Sequence, residues 1–147
     1  MLDLDLVLAL LHHLIVFALV AIIFVELVNV RSGMDAESAR RVAAIDAWYG
    51  ILAGLIVFVG FGRAIFAAKG WYYYAHNLFF WAKISTFVII GLLSIPPTLA
   101  YLKWRKECMT PTDEAVANVR WYLWIEAVLL APLVAFAAAM ARGYGQF

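Results

Sequence analysis

Four long apolar segments, separated by short polar stretches, dominate the pattern of hydrophobic and polar positions along the chain. They run from Leu6 to Val30, from Ile45 to Ala68, from Leu78 to Tyr101 and from Trp121 to Ala141. Each is close to the ~20 residues that a helix needs to cross the hydrocarbon core of a bilayer. The pattern predicts an all-α integral membrane protein, an antiparallel four-helix bundle in which residues 1–147 form a single four-span domain.

The composition supports a membrane protein. Hydrophobic residues make up 67% of the 147 residues and charged residues 14%, whereas soluble domains average about 45–50% apolar and about 25% charged residues. The first apolar segment follows the acidic stretch "MLDLD", where a cleaved signal peptide requires basic residues. We therefore expect the first segment to be retained as a membrane span.

The positions of lysine and arginine predict the orientation of the bundle, because basic residues near span ends favour the cytoplasmic side. The connections after spans 1 and 3 carry seven of them: Arg31, Arg40, Arg41, Lys103, Arg105, Lys106 and Arg120. The opposite side carries four: Arg63, Lys69, Lys83 and Arg142. We therefore place these two connections in the cytoplasm and both termini outside, and expect a multi-pass protein of the inner (plasma) membrane.

Two helices are predicted to begin in the cytoplasmic connections, before the chain enters the bilayer. In "MDAESARRV", Asp35 is a candidate N-cap with Ser38 at the third position. In "MTPTDEAV", Thr110 is a candidate N-cap, followed by Pro111 at the first helical position and Asp113 in the first turn.

Ionisable residues fall in two layers of the predicted bundle. The layer near the cytoplasmic border combines three carboxylates with three arginines within reach: Glu26, Asp46, Glu126, Arg31, Arg41 and Arg120. Because both signs are present, we expect ion pairs with a structural role, in preference to proton handling. Almost nothing ionisable lies between the two layers, which counts against a transporter or a proton channel.

The layer near the outer border is mainly cationic. At a rise of ~1.5 Å per residue, His12 and His13 lie roughly 12 Å below that border, and Arg63 and Lys83 about 8 Å from the outer ends of their helices. The connection between spans 2 and 3 adds Lys69, Tyr74 and His76 above them. Groups from three spans are therefore expected in one layer, with groups from one connection directly above it.

This outer layer suggests an anionic ligand. Asp3 and Asp5 are expected at the membrane surface, so that Arg63 and Lys83 have no acidic partner at their depth unless they extend to the interface. A cofactor that combines carboxylates with a metal would neutralise the layer, and haem b fits that description. The candidate cofactor-binding residues are His12, His13, Arg63, Lys69, Tyr74, His76 and Lys83. The candidate iron ligands among them are His12, Lys83 and His76.

Helical periodicity limits the role of each histidine. Adjacent helical residues point about 100° apart, so His12 and His13 cannot both face one iron atom from the same side. His12 lies nearly on the same helix face as Glu26, and Lys83 on the same face as Ser94, which predicts that His12 and Lys83 point inward. Which histidine binds iron stays open, and the alternative for His12 is a buried histidine with ordinary hydrogen bonds.

Four stretches of the sequence match a known family pattern: "LHHLIVFALVA", "RRVAAIDAWYGILAG", "GRAIFAAKG" and "HNLFFWAKISTFVIIGLLSIPPTL". On these stretches the chain resembles a family of small bacterial four-helix membrane proteins of unknown function. More distantly, it is similar to HemJ-like protoporphyrinogen oxidases and to the CopD membrane domain of copper resistance. The HemJ-like resemblance implies haem b, with His12 or His13 and Lys83, in the local pattern "WAK", at the implicated positions.

Three functions follow from these observations. The leading hypothesis is a haem b protein that transfers electrons or oxidises a substrate, such as a porphyrinogen, near the outer leaflet, with a quinone, a porphyrin or a redox protein as partner. The second is copper handling, although Met34, Met109 and Cys108 lie in cytoplasmic segments away from the histidines. The third is a cofactor-free structural or assembly subunit. No catalytic residue is predicted, no nucleic-acid partner is expected, and homo-oligomerisation stays open.

Overall fold

The computed structural model describes residues 3–66 and 69–147, which form five helices. These are α1 (Leu4–Asn29), α2 (Ala36–Phe66), α3 (Gly70–Ala75), α4 (Leu78–Glu107) and α5 (Asp113–Ala141). All except the short α3 are long and apolar enough to cross a membrane. The prediction of an all-α membrane bundle with four long helices is confirmed, while Ala68, the predicted end of span 2, lies outside the described residues.

The four long helices form a ring in which each packs against two others. Helix α1 contacts α2 and α5, and α4 contacts α2 and α5. Because the connections are short, successive long helices run in opposite directions. We call the end that carries both termini and α3 the terminal end, and the end that carries the α1–α2 and α4–α5 connections the loop end. Which of the two faces the cytoplasm stays a prediction.

Packing is densest towards the loop end. Ile23, Val42, Tyr101, Val116 and Leu123 are buried there, each at most 1% exposed. Many other large apolar side chains face outwards, as they do in a bundle surrounded by lipid; examples are Phe17, Phe58 and Val128. The less densely packed terminal end contains the cleft described below.

The two predicted helix starts have different outcomes. Helix α2 begins directly after Asp35, whose Oδ1 accepts a hydrogen bond from the backbone N–H of Ser38 at 2.8 Å. Hydrogen bonds from Ser38 hold the pKa of the Asp35 carboxyl below its usual range. This cap is confirmed.

The prediction of Thr110 as the cap of α5 is wrong. Thr112 occupies that position, with its Oγ1 3.2 Å from the backbone nitrogen of Ala115, and Asp113 lies in the first turn as predicted. The Oδ1 of Asp113 also accepts a hydrogen bond from the backbone of Gly33, at 3.3 Å. This contact joins the two connections at the loop end, and α5 starts two residues later than predicted.

Candidate binding cleft at the terminal end

A cleft between the long helices opens at the terminal end and consists of two chambers. The inner chamber has a volume of about 230 Å³ and the outer chamber about 420 Å³. Five residues line both: His12, Gly60, Phe80, Lys83 and Ala137. The two chambers therefore adjoin at these residues, and their combined volume falls in the range of ~300–1,000 Å³ that is typical of ligand pockets.

The walls of the two chambers differ in polarity. Apolar side chains from all four long helices line the inner chamber, which reaches Ile23 on α1 and Tyr49 on α2 at its deepest point. The outer chamber is lined by charged and polar side chains as well: Asp5, His12, His13, Arg63, Lys69, Tyr74 and Lys83. The cleft can therefore accept a molecule with one apolar part and one anionic part.

His12 lies where the two chambers meet. It faces the interior, as its position relative to Glu26 predicts. Its Nδ1 atom is buried and has no hydrogen-bond partner within residues 3–66 and 69–147. The ring packs against the backbone of α2 at Gly60, where an added Cβ atom would lie 3.5 Å from the Cε1 atom of His12. This is an ordinary contact distance, so the ring lies directly against α2 at this position.

His13 has a different environment. It is exposed at the rim of the outer chamber, and its Nδ1 donates a hydrogen bond to the carbonyl oxygen of Ala9 at 2.6 Å. The rings of His12 and His13 are nearly perpendicular, with centroids 6.1 Å apart. Of the two histidines, His12 is the one whose ring nitrogen is buried without a partner.

Lys83 and Arg63 occupy the cleft with different partners. Lys83 lines both chambers, with its Nζ 5.7 Å from the centre of the Phe80 ring. The expectation that Arg63 has no acidic partner is wrong, because its Nε lies 4.0 Å from the Oδ1 of Asp5. The first turn of α1 brings Asp5 into the cleft mouth instead of leaving it on the surface. At 4.0 Å the pair lacks a hydrogen bond, and the charge of Arg63 is only partly balanced.

The helix α3 and the segment before it supply Lys69 and Tyr74 to the outer chamber. The Nζ of Lys69 donates hydrogen bonds to the hydroxyl of Tyr73 at 3.3 Å and to the carbonyl oxygen of Ala141 at 3.5 Å. These contacts hold the lysine between α3 and the end of α5, at the mouth of the cleft.

His76 is not among the residues that line the cleft. Its Nδ1 donates a hydrogen bond to the carbonyl oxygen of Tyr72 at 2.9 Å, and its ring stacks on the Tyr72 ring with centroids 4.1 Å apart. Phe147 contacts the same ring and donates its backbone N–H to the carbonyl of His76. The structure therefore brings His12 together with Lys83, and leaves His76 outside.

A second polar cluster lies in the loop-end half, and here the predicted ion pairs are wrong. The ion pairs in the described parts of the chain join Glu37 to Arg40 and Arg41, and Asp5 to Arg63. Glu26, Asp46 and Glu126 are buried without any of these cations. Arg120 instead donates to the backbone carbonyls of Leu27 and Val30. The reason is that the last carbonyls of α1 lack helical partners and compete for the guanidinium.

Comparison with known proteins identifies the family. Residues 4–145 match the family model described as "Predicted membrane protein (DUF2214)". The chain belongs to this family. No curated protein and no solved structure matches the chain. The family assignment agrees with the resemblance to a four-helix membrane family, and these comparisons lend no support to the more distant similarity to HemJ-like or CopD proteins.

The copper hypothesis requires a cluster of protein ligands in this DUF2214 protein. Within the two described ranges, no three His, Cys, Asp or Glu side chains are arranged to hold a metal ion. Cys108 is exposed at the loop end, far along the bundle from His12. Haem iron differs in this respect, because the porphyrin supplies four of its ligands and the protein only one or two.

Gly60 is a residue of the cleft that the sequence analysis did not identify. Its role depends on how α1 and α2 are rotated relative to each other, since only that rotation places His12 against the α2 backbone. The sequence carries one signal, a glycine within an apolar span. Three other glycines of α2 carry the same signal, but no side chain lies within 4 Å of a Cβ atom added to them: Gly50, Gly54 and Gly62. The signal alone therefore does not single out Gly60.

Proposed function

We propose that this DUF2214 protein binds haem b in the cleft at the terminal end and uses it in electron transfer or in the oxidation of a substrate. One observation carries the proposal. The buried Nδ1 of His12 has no partner in the described structure, and its ring lies between an apolar chamber and a chamber with three cationic side chains. Leaving a buried polar group unsatisfied costs about 1–3 kcal/mol, which a bound ligand can offset.

The residues of the cleft fit the parts of a haem. His12 on α1 and Lys83 on the opposite helix α4 would hold the iron. Arg63, Lys69 and Tyr74 would hold the propionates in the outer chamber, while apolar side chains of the inner chamber would cover the ring. When bound, haem supplies one-electron chemistry. The protein's own contribution is to orient it, to exclude water from one side and to neutralise its carboxylates.

The residues in the side wall of the inner chamber favour a lipid-soluble molecule as the reaction partner. Val57, Phe61, Val88 and Val134 line the chamber and are also exposed on the outside of the bundle, where lipid would surround them. A quinone or a porphyrin could therefore reach the chamber from within the bilayer. This favours such a molecule over a water-soluble substrate as the partner in the reaction.

An absorption spectrum of the protein, purified after expression with ample haem, tests the proposal. We expect a Soret band in the wild type, loss or a strong shift of the band in His12→Ala, and a retained band in His13→Ala, because His13 already bonds to Ala9. Lys83→Met should alter the spin state without removing the haem. A wild-type protein without Soret absorption, or a His12→Ala variant with an unchanged spectrum, would contradict the proposal.

A cofactor-free role is the second candidate, favoured by the same opening towards lipid. The outer chamber could then hold the phosphate of a lipid headgroup and the inner chamber an acyl chain. Mass spectrometry of the protein in its folded state distinguishes the two, since it would detect a bound lipid in place of haem. In this case Arg63→Gln should reduce lipid retention while His12→Ala should not.

A further inference from the structure

The buried polar cluster in the loop-end half has no role in the cleft. It consists of one carboxyl group from each of three helices, Glu26 on α1, Asp46 on α2 and Glu126 on α5, together with the hydroxyl groups of Thr98 and Tyr101 on α4. We call these five residues the carboxyl cluster. The three acidic residues are only 4%, 6% and 1% exposed, respectively.

Hydrogen bonds from α4 satisfy part of the cluster. The hydroxyl of Tyr101 donates to Oε2 of Glu26 at 3.3 Å, and the hydroxyl of Thr98 donates to Oδ1 of Asp46 at 3.0 Å. The Oε1 atoms of Glu26 and Glu126 are buried and have no partner among the described residues. Two buried carboxyl oxygens are therefore left without a hydrogen-bond donor from the described residues.

The charged and titratable groups around the cluster do not balance three negative charges. Helix α2 adds Tyr49, and α5 adds Arg120, whose guanidinium is bonded to carbonyl oxygens of α1. No lysine, arginine or histidine nitrogen in residues 3–66 and 69–147 lies within 4.0 Å of Glu26, Asp46 or Glu126.

Burial without a cation favours protonation over ionisation. An unpaired carboxylate in a low-dielectric interior costs several kcal/mol. A protonated carboxyl group carries no charge and has an O–H that can donate to a neighbouring oxygen. A metal ion would neutralise the cluster as well, but the described residues contain no group of side chains arranged to hold one.

We propose that the carboxyl cluster is a proton-binding site, in which Glu26 and Glu126 together hold at least one proton at neutral pH and exchange it with solvent. Ile23 and Tyr49, at the deepest point of the cleft, lie one helical turn from Glu26 and Asp46, so the site borders the inner chamber. The proposal does not depend on the ligand of the cleft, since it rests on the three carboxyl groups alone.

Infrared spectroscopy tests the proposal on the full chain, purified in a detergent without carbonyl groups, such as dodecyl maltoside. We expect the C=O stretching band of a protonated carboxylic acid at pH 7, shifted to lower frequency in D₂O. The band should lose intensity in Glu26→Gln or in Glu126→Gln. Glu37→Gln is the matched control: Glu37 is half-exposed and paired with Arg40 and Arg41, so its loss should leave the band unchanged.

A wild-type spectrum without a protonated carboxyl band at pH 7 would overturn the proposal, as would a band that survives unchanged in both variants. Where the variants fail to fold, a pH titration of the wild type decides. The proposal requires the band to decrease as the pH rises while the carboxylate band grows. A band that neither shifts in D₂O nor responds to pH belongs to a group that does not exchange its proton, and would equally contradict the site.

Discussion

His12 packs against Gly60, so that the ring of a histidine on α1 rests on the backbone of α2. A Cβ atom at Gly60 would lie 3.5 Å from Cε1 and 3.7 Å from Nδ1 of His12. These are ordinary contact distances, and a methyl group can be accommodated there. A larger, branched side chain adds atoms beyond Cβ that reach towards the imidazole. The pair therefore determines how much room the cleft has at the junction of its two chambers.

We expect Gly60→Val to reduce ligand binding in the cleft while Gly60→Ala changes it little. Overpacking typically costs about 1–3 kcal/mol, which corresponds to a roughly 5- to 150-fold loss of affinity. Haem content per protein, or retained lipid, is the measurement. Gly54→Val is the matched control on the same helix, since no side chain lies within 4 Å of a Cβ atom there. Equal effects of the two valines would show that Gly60 has no special role.

If the cleft binds an anionic ligand, as proposed, Asp5 competes with that ligand for Arg63. We expect Asp5→Asn to raise the affinity of the cleft for an anionic amphiphile a few-fold, because Arg63 then carries an unbalanced charge. Arg63→Gln should lower it by a similar factor. A titration with haem or with a fatty acid, at two salt concentrations, measures both effects. Asp3→Asn serves as the control: Asp3 caps α1 and accepts from the backbone of Asp5, and asparagine caps a helix about equally well.

Asn77 joins α4 to the C-terminal segment. It is fully buried; its Oδ1 accepts from the backbone of Phe80 at 3.1 Å and its Nδ2 donates to the carbonyl of Tyr144 at 2.9 Å. Loss of a helix cap costs about 0.5–2 kcal/mol, and the carbonyl left unsatisfied adds about 1–3 kcal/mol.

We therefore expect Asn77→Ala to lower the thermal unfolding midpoint clearly, and Asn77→Ser, which can still cap α4 but is too short to donate to Tyr144, to lower it less. Thermal unfolding of the purified protein in detergent measures both. Asn118→Ala, at an exposed position of α5, is the control and should leave the midpoint nearly unchanged. If Asn77→Ala unfolded at the wild-type temperature, these two hydrogen bonds would contribute nothing to stability.

The predicted orientation can be tested with thiol reagents that do not cross the membrane. Native Cys108 is exposed at the loop end, and Gln146 is exposed at the terminal end. In intact cells we expect a Gln146→Cys variant to react from outside while Cys108 becomes reactive only after the membrane is opened. A Cys108→Ala background provides the control for the labelling of position 146. The reverse pattern would place the termini in the cytoplasm.

The number of long membrane helices could be predicted from the order of residues alone, whereas the continuation of α4 from Tyr101 to Glu107 and the short α3 were not predicted. A span requires about 20 apolar residues, and in lipid the backbone must satisfy its own hydrogen bonds, so length and composition suffice. The cap at Asp35 was equally predictable, because its hydrogen bond joins residues three positions apart. The start of α5 was predicted wrongly although its cap is equally local: Thr110 and Thr112 are both capping residue types, and Thr112 is the one whose Oγ1 accepts from the backbone of Ala115.

Periodicity along one helix indicated that His12 and Lys83 point inward, because side-chain direction repeats with the helical turn. It could not indicate which groups meet across helices. The ring of His12 against Gly60, Asp5 beside Arg63, and Arg120 on the carbonyls of α1 instead of on Glu26 all depend on the rotation and height of one helix relative to the next. That arrangement is set by the packing of side chains distant in sequence, and therefore emerges only when the four helices are assembled.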